Sequence, residues 1–163
     1  MSILNLSSEP EQEKIIADND DLLKRAKSGA NWFYWIAGLS LINSIIFLFG
    51  GNLSFIAGLG ITQLLDAVVD QISGSESFSA VKIITFAVDA ILAGIFILCG
   101  MWANKLEIWA FAVGMVLYIL DTVLLLAIGA YLPVAFHAFA LFMIFRGFSA
   151  ARRMKISQSS PIL

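Results

Sequence analysis

Cysteine is almost absent. Cys99 is the only one, so an internal disulfide and a CxxC redox pair are both ruled out. That removes the thiol-based quinone oxidoreductases, which also use small helical bundles. Histidine is as scarce: His137 stands alone, and neither ExxH nor HExxH spacing occurs. Charge is thin as well. Only 13% of the residues are charged and 60% are apolar, against roughly 25% and about 45–50% in a soluble domain. A formal net charge of −2 selects no partner. No Walker motif, no Gly-rich phosphate loop and no nucleic-acid patch is present. No cleavable signal peptide is expected, because residues 1–30 carry Glu9, Glu11, Glu13, Asp18, Asp20 and Asp21 and lack a long apolar core.

What the chain does have is four long apolar runs, at about 32–50, 81–101, 106–130 and 132–150. Each reaches or approaches the ~20 residues that cross a ~30 Å hydrocarbon layer. Helix is the expected state, because open strands would leave backbone groups unpaired in lipid. Pro133 fits the first turn of the fourth helix, where its missing N–H does no harm. The expected fold is all-α: a four-helix transmembrane bundle with an additional amphipathic or re-entrant helix between the first and second spans. Residues 1–30 form a cytoplasmic segment with a short helix at 9–28, capped by Ser7 or Ser8. Its apolar stripe (Ile15, Ile16, Leu22, Leu23, Ala26) rests on the membrane or the bundle, or docks a cytoplasmic partner. Residues 31–155 form the membrane domain, and 156–163 a disordered tail.

Basic residues set the orientation. Of ten Lys and Arg, only Lys82 falls on the far side of a four-span topology. By the positive-inside rule both termini are cytoplasmic, in a multi-pass protein. Trp32, Trp35, Trp102 and Trp109 cluster at the same ends, as an aromatic belt does. Residues 53–72 are ambiguous. Ile61, Leu64, Leu65, Val68, Val69 and Ile72 repeat at helical spacing, with Gln63, Asp66 and Asp70 on the other face. A fifth span would place Asp66 in lipid and one terminus outside. A helix on the outer surface, capping the bundle, is the better reading; Gly58 and Gly60 permit a re-entrant first half.

Three runs hold an ionisable residue where lipid belongs: Asp89, Asp121 and His137. Asn43 adds a polar group to the first. A charge at mid-membrane costs about 2.5–3.5 kcal/mol on insertion scales, so such residues face the bundle interior and find partners. Counting from the span ends at 1.5 Å per residue puts all four roughly 8–12 Å below the outer surface, in one layer. Lys82, Thr85 and Asp89 line one helix face, Tyr118 and Thr122 flank Asp121, and Ser40 and Ser44 flank Asn43. Ala90-x-x-x-Gly94 and Ala110-x-x-x-Gly114 are small-residue pairs suited to close helix approach. The candidate polar or ion site is therefore Asn43, Thr85, Asp89, Tyr118, Asp121 and His137.

A structural layer is the first reading of these residues, since one interhelical hydrogen bond fixes register and pairing. A proton or ion site comes second, because a buried carboxyl beside an imidazole can exchange protons with it. A metal site ranks third, and an intramembrane hydrolase last. Arg146 is expected to snorkel to the headgroups with Arg152, Arg153 and Lys155.

The segments Trp32–Ser44 (WFYWIAGLSLINS), Phe136–Gly147 (FHAFALFMIFRG) and Gly58–Asp66 (GLGITQLLD) resemble a group of small, uncharacterised bacterial inner-membrane proteins with four spans. The resemblance implies a bacterial origin and brings no activity. Four-span multidrug transporters centre on a Glu in the first helix, where this chain has Asn43. The expected function is that of a non-enzymatic structural or accessory subunit, with no cofactor. Its partners would be the lipid bilayer and a homo-oligomer or larger membrane complex, without nucleic acid. The alternative is a small proton- or ion-coupled carrier using Asp89, Asp121 and His137.

Overall fold

A computed structural model describes residues 9–49, 59–62, 64, 68 and 78–159. Ser7, Ser8, Gly58, Gln63, Asp66, Asp70, residues 160–163 and the side chain of Lys82 lie outside the described residues, and with them most of the expected 53–72 helix. Four long helices make up the described chain: α1 (Glu9–Leu48), α2 (Phe78–Asn104), α3 (Ile108–Ala127) and α4 (Tyr131–Ser159). No strand occurs among the described residues.

The N-terminal helix and the first apolar run, expected to be separate, are one unbroken helix of 40 residues. Nothing between them stops it. Ser28-Gly29-Ala30-Asn31 contains no proline, and a single glycine costs a helix only about 1 kcal/mol. At 1.5 Å per residue α1 is about 60 Å long, twice the thickness of a hydrocarbon layer. Its first turns carry most of its charge and are exposed, Ile15 and Ile16 included, whereas Leu22 and Ala26 already pack on the core. The tail reading is also corrected in part. Residues 156–159 continue α4.

Both tight connections close with the same pair of backbone bonds. After α2, Leu106 N–H donates to the Ala103 carbonyl at 2.9 Å and Glu107 N–H to the Trp102 carbonyl at 3.1 Å. After α3, Gly129 N–H donates to Leu126 at 3.1 Å and Ala130 N–H to Leu125 at 3.0 Å. Such a cap needs a left-handed residue. Gly129 supplies it at φ 74, whereas Leu106 adopts φ 63 with a side chain that packs on the core.

The helices form a ring in which α1 packs extensively on α2 and α4, α3 packs on α4, and the α2–α3 side is the thinnest. Ala26, Ala30, Phe33, Ile36 and Ala37 of α1 are buried at helical spacing, and Ser40, Asn43 and Ser44 continue the same stripe. Phe33 packs on Phe96 of α2 and Phe111 of α3, with ring centroids 6.2 Å away in both cases. Outside this core the helices are apolar all round: Ile84, Ile91, Leu120, Val123 and Phe142 are all exposed. Among the described residues, three helical stretches are long and apolar enough to cross a membrane: Ile83–Asn104, Ile108–Ala127 and Tyr131–Ser159. The chain thus has the features of a multi-pass membrane protein.

Close approach happens where the small-residue spacing did not place it. A Cβ added to Gly29 would lie 2.5 Å from the Gly147 Cα, and one added to Gly147 would lie 2.6 Å from the Gly29 Cα. The α1 and α4 backbones therefore touch at a glycine pair. Gly114, expected as an interface glycine, does face a neighbour: its Cβ would meet the Phe33 ring at 2.3 Å. Gly94 meets nothing within 4 Å. Thermal unfolding in detergent should separate these positions. Gly147→Ala should lose about 1–3 kcal/mol by overpacking. Gly94→Ala should lose nothing and gain up to about 1 kcal/mol of helix propensity.

Candidate functional site

The core of the site is Asp121. It stands on α3 about two turns before the helix ends and is 6% exposed. Its carboxyl group takes three hydrogen bonds. Gly60 N–H donates to Oδ2 at 2.7 Å and Ile61 N–H donates to Oδ1 at 2.8 Å. His137 Nε2 of α4 lies 2.9 Å from Oδ2. Gly60 and Ile61 are the first helical residues after Leu59. The amides that open a helix have no partner within it. Asp121 caps them from another helix, which is also where the positive end of a helix dipole favours an acidic group.

This placement corrects the surface reading for the start of the 53–72 segment. Leu59, Gly60 and Thr62 are buried within the bundle rather than lying over it. Glycine is required at position 60, because a Cβ there would lie 2.4 Å from Leu125 Cγ. Thr62 Oγ1 donates to the Leu59 carbonyl at 2.8 Å and lies 3.3 Å from Ser40 Oγ of α1. Thus α1, α3 and α4 all hold this one turn, directly or through Asp121.

His137 is wholly buried and engages both ring nitrogens. Nδ1 lies 2.8 Å from the Pro133 carbonyl, one turn back on α4. A carbonyl only accepts, so Nδ1 carries a proton. The contact between Nε2 and Asp121 Oδ2 then holds one further proton, on the imidazole or on the carboxyl. Either way the pair is neutral overall. Tyr118 stacks on the imidazole, with centroids 4.3 Å apart and planes 16° from parallel. Phe96 meets the other side of Tyr118 edge-on at 6.0 Å.

Asp89 of α2 has a separate partner. Ser44 Oγ donates to Asp89 Oδ2 at 2.7 Å, and the same hydroxyl lies 3.2 Å from the Ser40 carbonyl. Asp89 is 0% exposed, and its Oδ1 has no hydrogen-bond partner among the described residues. The Tyr118 hydroxyl is likewise buried without one.

The two acids are therefore joined through α1 rather than through each other. The path runs from Asp89 to Ser44, along the helix turn to Ser40, across to Thr62, and through the Gly60–Ile61 turn to Asp121 and His137. Asn43 and Thr85 are buried near one end of it, 3% and 7% exposed. Ser40, Ser44, Thr62, Gly60 and the Pro133 carbonyl carry the connections. Sequence reading assigns none of them a place in the site. The i, i+4 pair Ser40–Ser44 beside Asn43 was the available signal. The backbone amides of Gly60 and Ile61 had none beyond the glycine.

On the α2–α3 side a cleft of about 360 Å³ reaches the carboxyl group of Asp121 between Leu59, Ile61, Phe96, Leu117 and Leu124. Its walls are almost wholly apolar. Among the described residues no three His, Cys, Asp or Glu side chains gather as a metal site would need. Comparison with protein-family models, with curated proteins and with solved structures gives no match.

Removing the Asp121 carboxyl strands two amides and an imidazole in an apolar interior. Asp121→Leu should lower stability by about 3–5 kcal/mol. Asp121→Asn keeps one acceptor oxygen and a donor for His137 Nε2, and should cost about 1–2 kcal/mol. Hydrogen exchange should show the loss at its source, as faster exchange of the Gly60 and Ile61 amides in the Leu variant. Equal losses in both variants would contradict the capping role.

Proposed function

We propose that this chain is a four-span integral membrane protein with both termini in the cytoplasm, acting as a non-enzymatic structural or accessory subunit. The second half of α1 would supply the fourth span, with its polar stripe turned to the bundle interior. The observation that carries the reading is the engagement of the Asp121–His137 pair within the protein. Both carboxyl oxygens and both ring nitrogens bind protein atoms. A pair so engaged holds the Gly60–Ile61 turn and ties α3 to α4, which is a structural task. The basic residues and the tryptophans collected at one end support the orientation.

One observation favours a second reading, a small proton-coupled carrier. Asp89 Oδ1 and the Tyr118 hydroxyl are buried without partners among the described residues. Buried polar groups left unpaired are costly, and proton pathways in membranes are built from such groups. In this reading Asp89 and Asp121 exchange protons and His137 relays them.

Proteoliposomes with a pH-sensitive dye inside discriminate the two. Under an imposed proton gradient the structural subunit should leak no faster than empty vesicles, and Asp89→Asn should change neither leak nor fold. Proton flux abolished by Asp89→Asn would establish the carrier instead. A topology reporter fused after Leu163 should read cytoplasmic, and mild-detergent isolation should bring down a partner or a second copy. A lone monomer would count against the subunit reading.

A further inference from the structure

Two grooves flank the glycine crossing of α1 and α4, and both are basic. One, of about 240 Å³, lies between Lys24, Arg25, Ser28 and Arg146. The other, of about 210 Å³, lies between Arg25, Phe142, Phe145, Arg146 and Arg153. Arg25 and Arg146 line both, so two guanidinium groups from two helices form a shared wall. The crossing explains the convergence. Because Gly29 and Gly147 have no side chains, the helix backbones meet, and Arg25, one turn before Gly29, is brought close to Arg146, the neighbour of Gly147.

The charges here are poorly neutralised by the protein. Arg25 pairs with Asp21 at 2.8 Å, an exposed i, i+4 contact of the kind that contributes little. Among the described residues, Lys24, Arg146 and Arg153 form no ion pair with a carboxylate, whereas Lys155 at the same end of α4 is held by Glu107 at 3.2 Å. Arg146 instead lies over the Phe142 ring, 5.9 Å from its centroid. Phe142 and Phe145 are 57% and 54% exposed. Cationic forks thus sit directly beside exposed aromatic surface, at the level where the apolar face of α4 gives way to its charged end.

We propose that this pair of grooves binds the phosphate of an anionic phospholipid, with Arg25 and Arg146 gripping the headgroup and Phe142 and Phe145 against the acyl chains. The inference rests on the membrane reading of the fold and is independent of what the Asp121 layer does. Guanidinium matches phosphate oxygens with two parallel hydrogen bonds, which an ammonium group cannot do. Basic pockets between membrane helices near a headgroup layer are the recurring form of such sites. Diffuse attraction would use all the basic residues at this end alike. The grooves instead select two, on two helices, beside a surface suited to lipid tails.

The test is lipid titration of the full chain in neutral detergent, read by native mass spectrometry, with phosphatidylglycerol and phosphatidylcholine as probes. Phosphatidylglycerol should bind saturably and phosphatidylcholine should not. Arg25→Gln with Arg146→Gln should weaken the first bound phosphatidylglycerol about a hundredfold, as loss of two charge-assisted contacts implies. Lys105→Gln with Arg152→Gln removes the same charge from outside the grooves and should weaken it about tenfold or less. Arg146→Lys, which keeps charge and fold, should still lose about tenfold. Equal weakening in the two double variants, or no loss in Arg146→Lys, would overturn the site. Displacement of the lipid by millimolar inorganic phosphate would assign a free-anion site and overturn the lipid assignment.

Discussion

The arrangement depends on one carboxyl group meeting the amides that open a helix. An amide without a partner is costly in an apolar interior, and a lone carboxylate more so. At Asp121 each need meets the other: two orphan donors face two acceptor oxygens, and an imidazole shares the remaining proton. The pair is net neutral, which removes the main objection to burying it. From this contact follow the depth of the Leu59–Thr62 turn, the orientation of His137, and the stacking of Tyr118 on it. It also explains why the α2–α3 side is the thin one. The inserted turn occupies part of the space between the helices there, and the apolar cleft beside it is what remains.

Asp89 is held quite differently. Among the described residues its one donor is Ser44, whose single proton is also within reach of the Ser40 carbonyl. The two acids of the layer thus have different chemistry in the same bundle. Asp121 binds partners at both carboxyl oxygens. Asp89 is the less committed of the two, so any activity of the layer should be sought there first.

Sequence reading reached the helices and their apolar runs because each leaves a periodic or compositional mark. Asp89, Asp121 and His137 stand out against lipid-compatible surroundings, and all three are buried among the helices. What it could not reach were contacts made by atoms without side-chain identity. The Gly60 and Ile61 amides and the Pro133 carbonyl are backbone groups, present at nearly every position, and only the fold singles them out. The Gly29–Gly147 contact failed for a related reason. Small-xxx-small spacing marks one helix surface, but the contact pairs single glycines on two helices 118 residues apart in sequence, and no local pattern reports that. The break expected in α1 came from equating a change of composition with a change of structure. A helix continues across a polarity boundary so long as its backbone is permitted to.

That continuity gives α1 two environments and two tasks. Its second half contributes Ser40 and Ser44 to the polar layer. Its first half continues past the glycine crossing against α4, with Leu22 and Ala26 packed on the core, and carries Lys24 and Arg25 alongside Arg146 of α4. Because the helix is unbroken, it joins the two ends directly: the Ser44–Asp89 contact lies 15 residues or about 22 Å beyond Gly29. The link between the basic end and the acidic layer is therefore α1 itself.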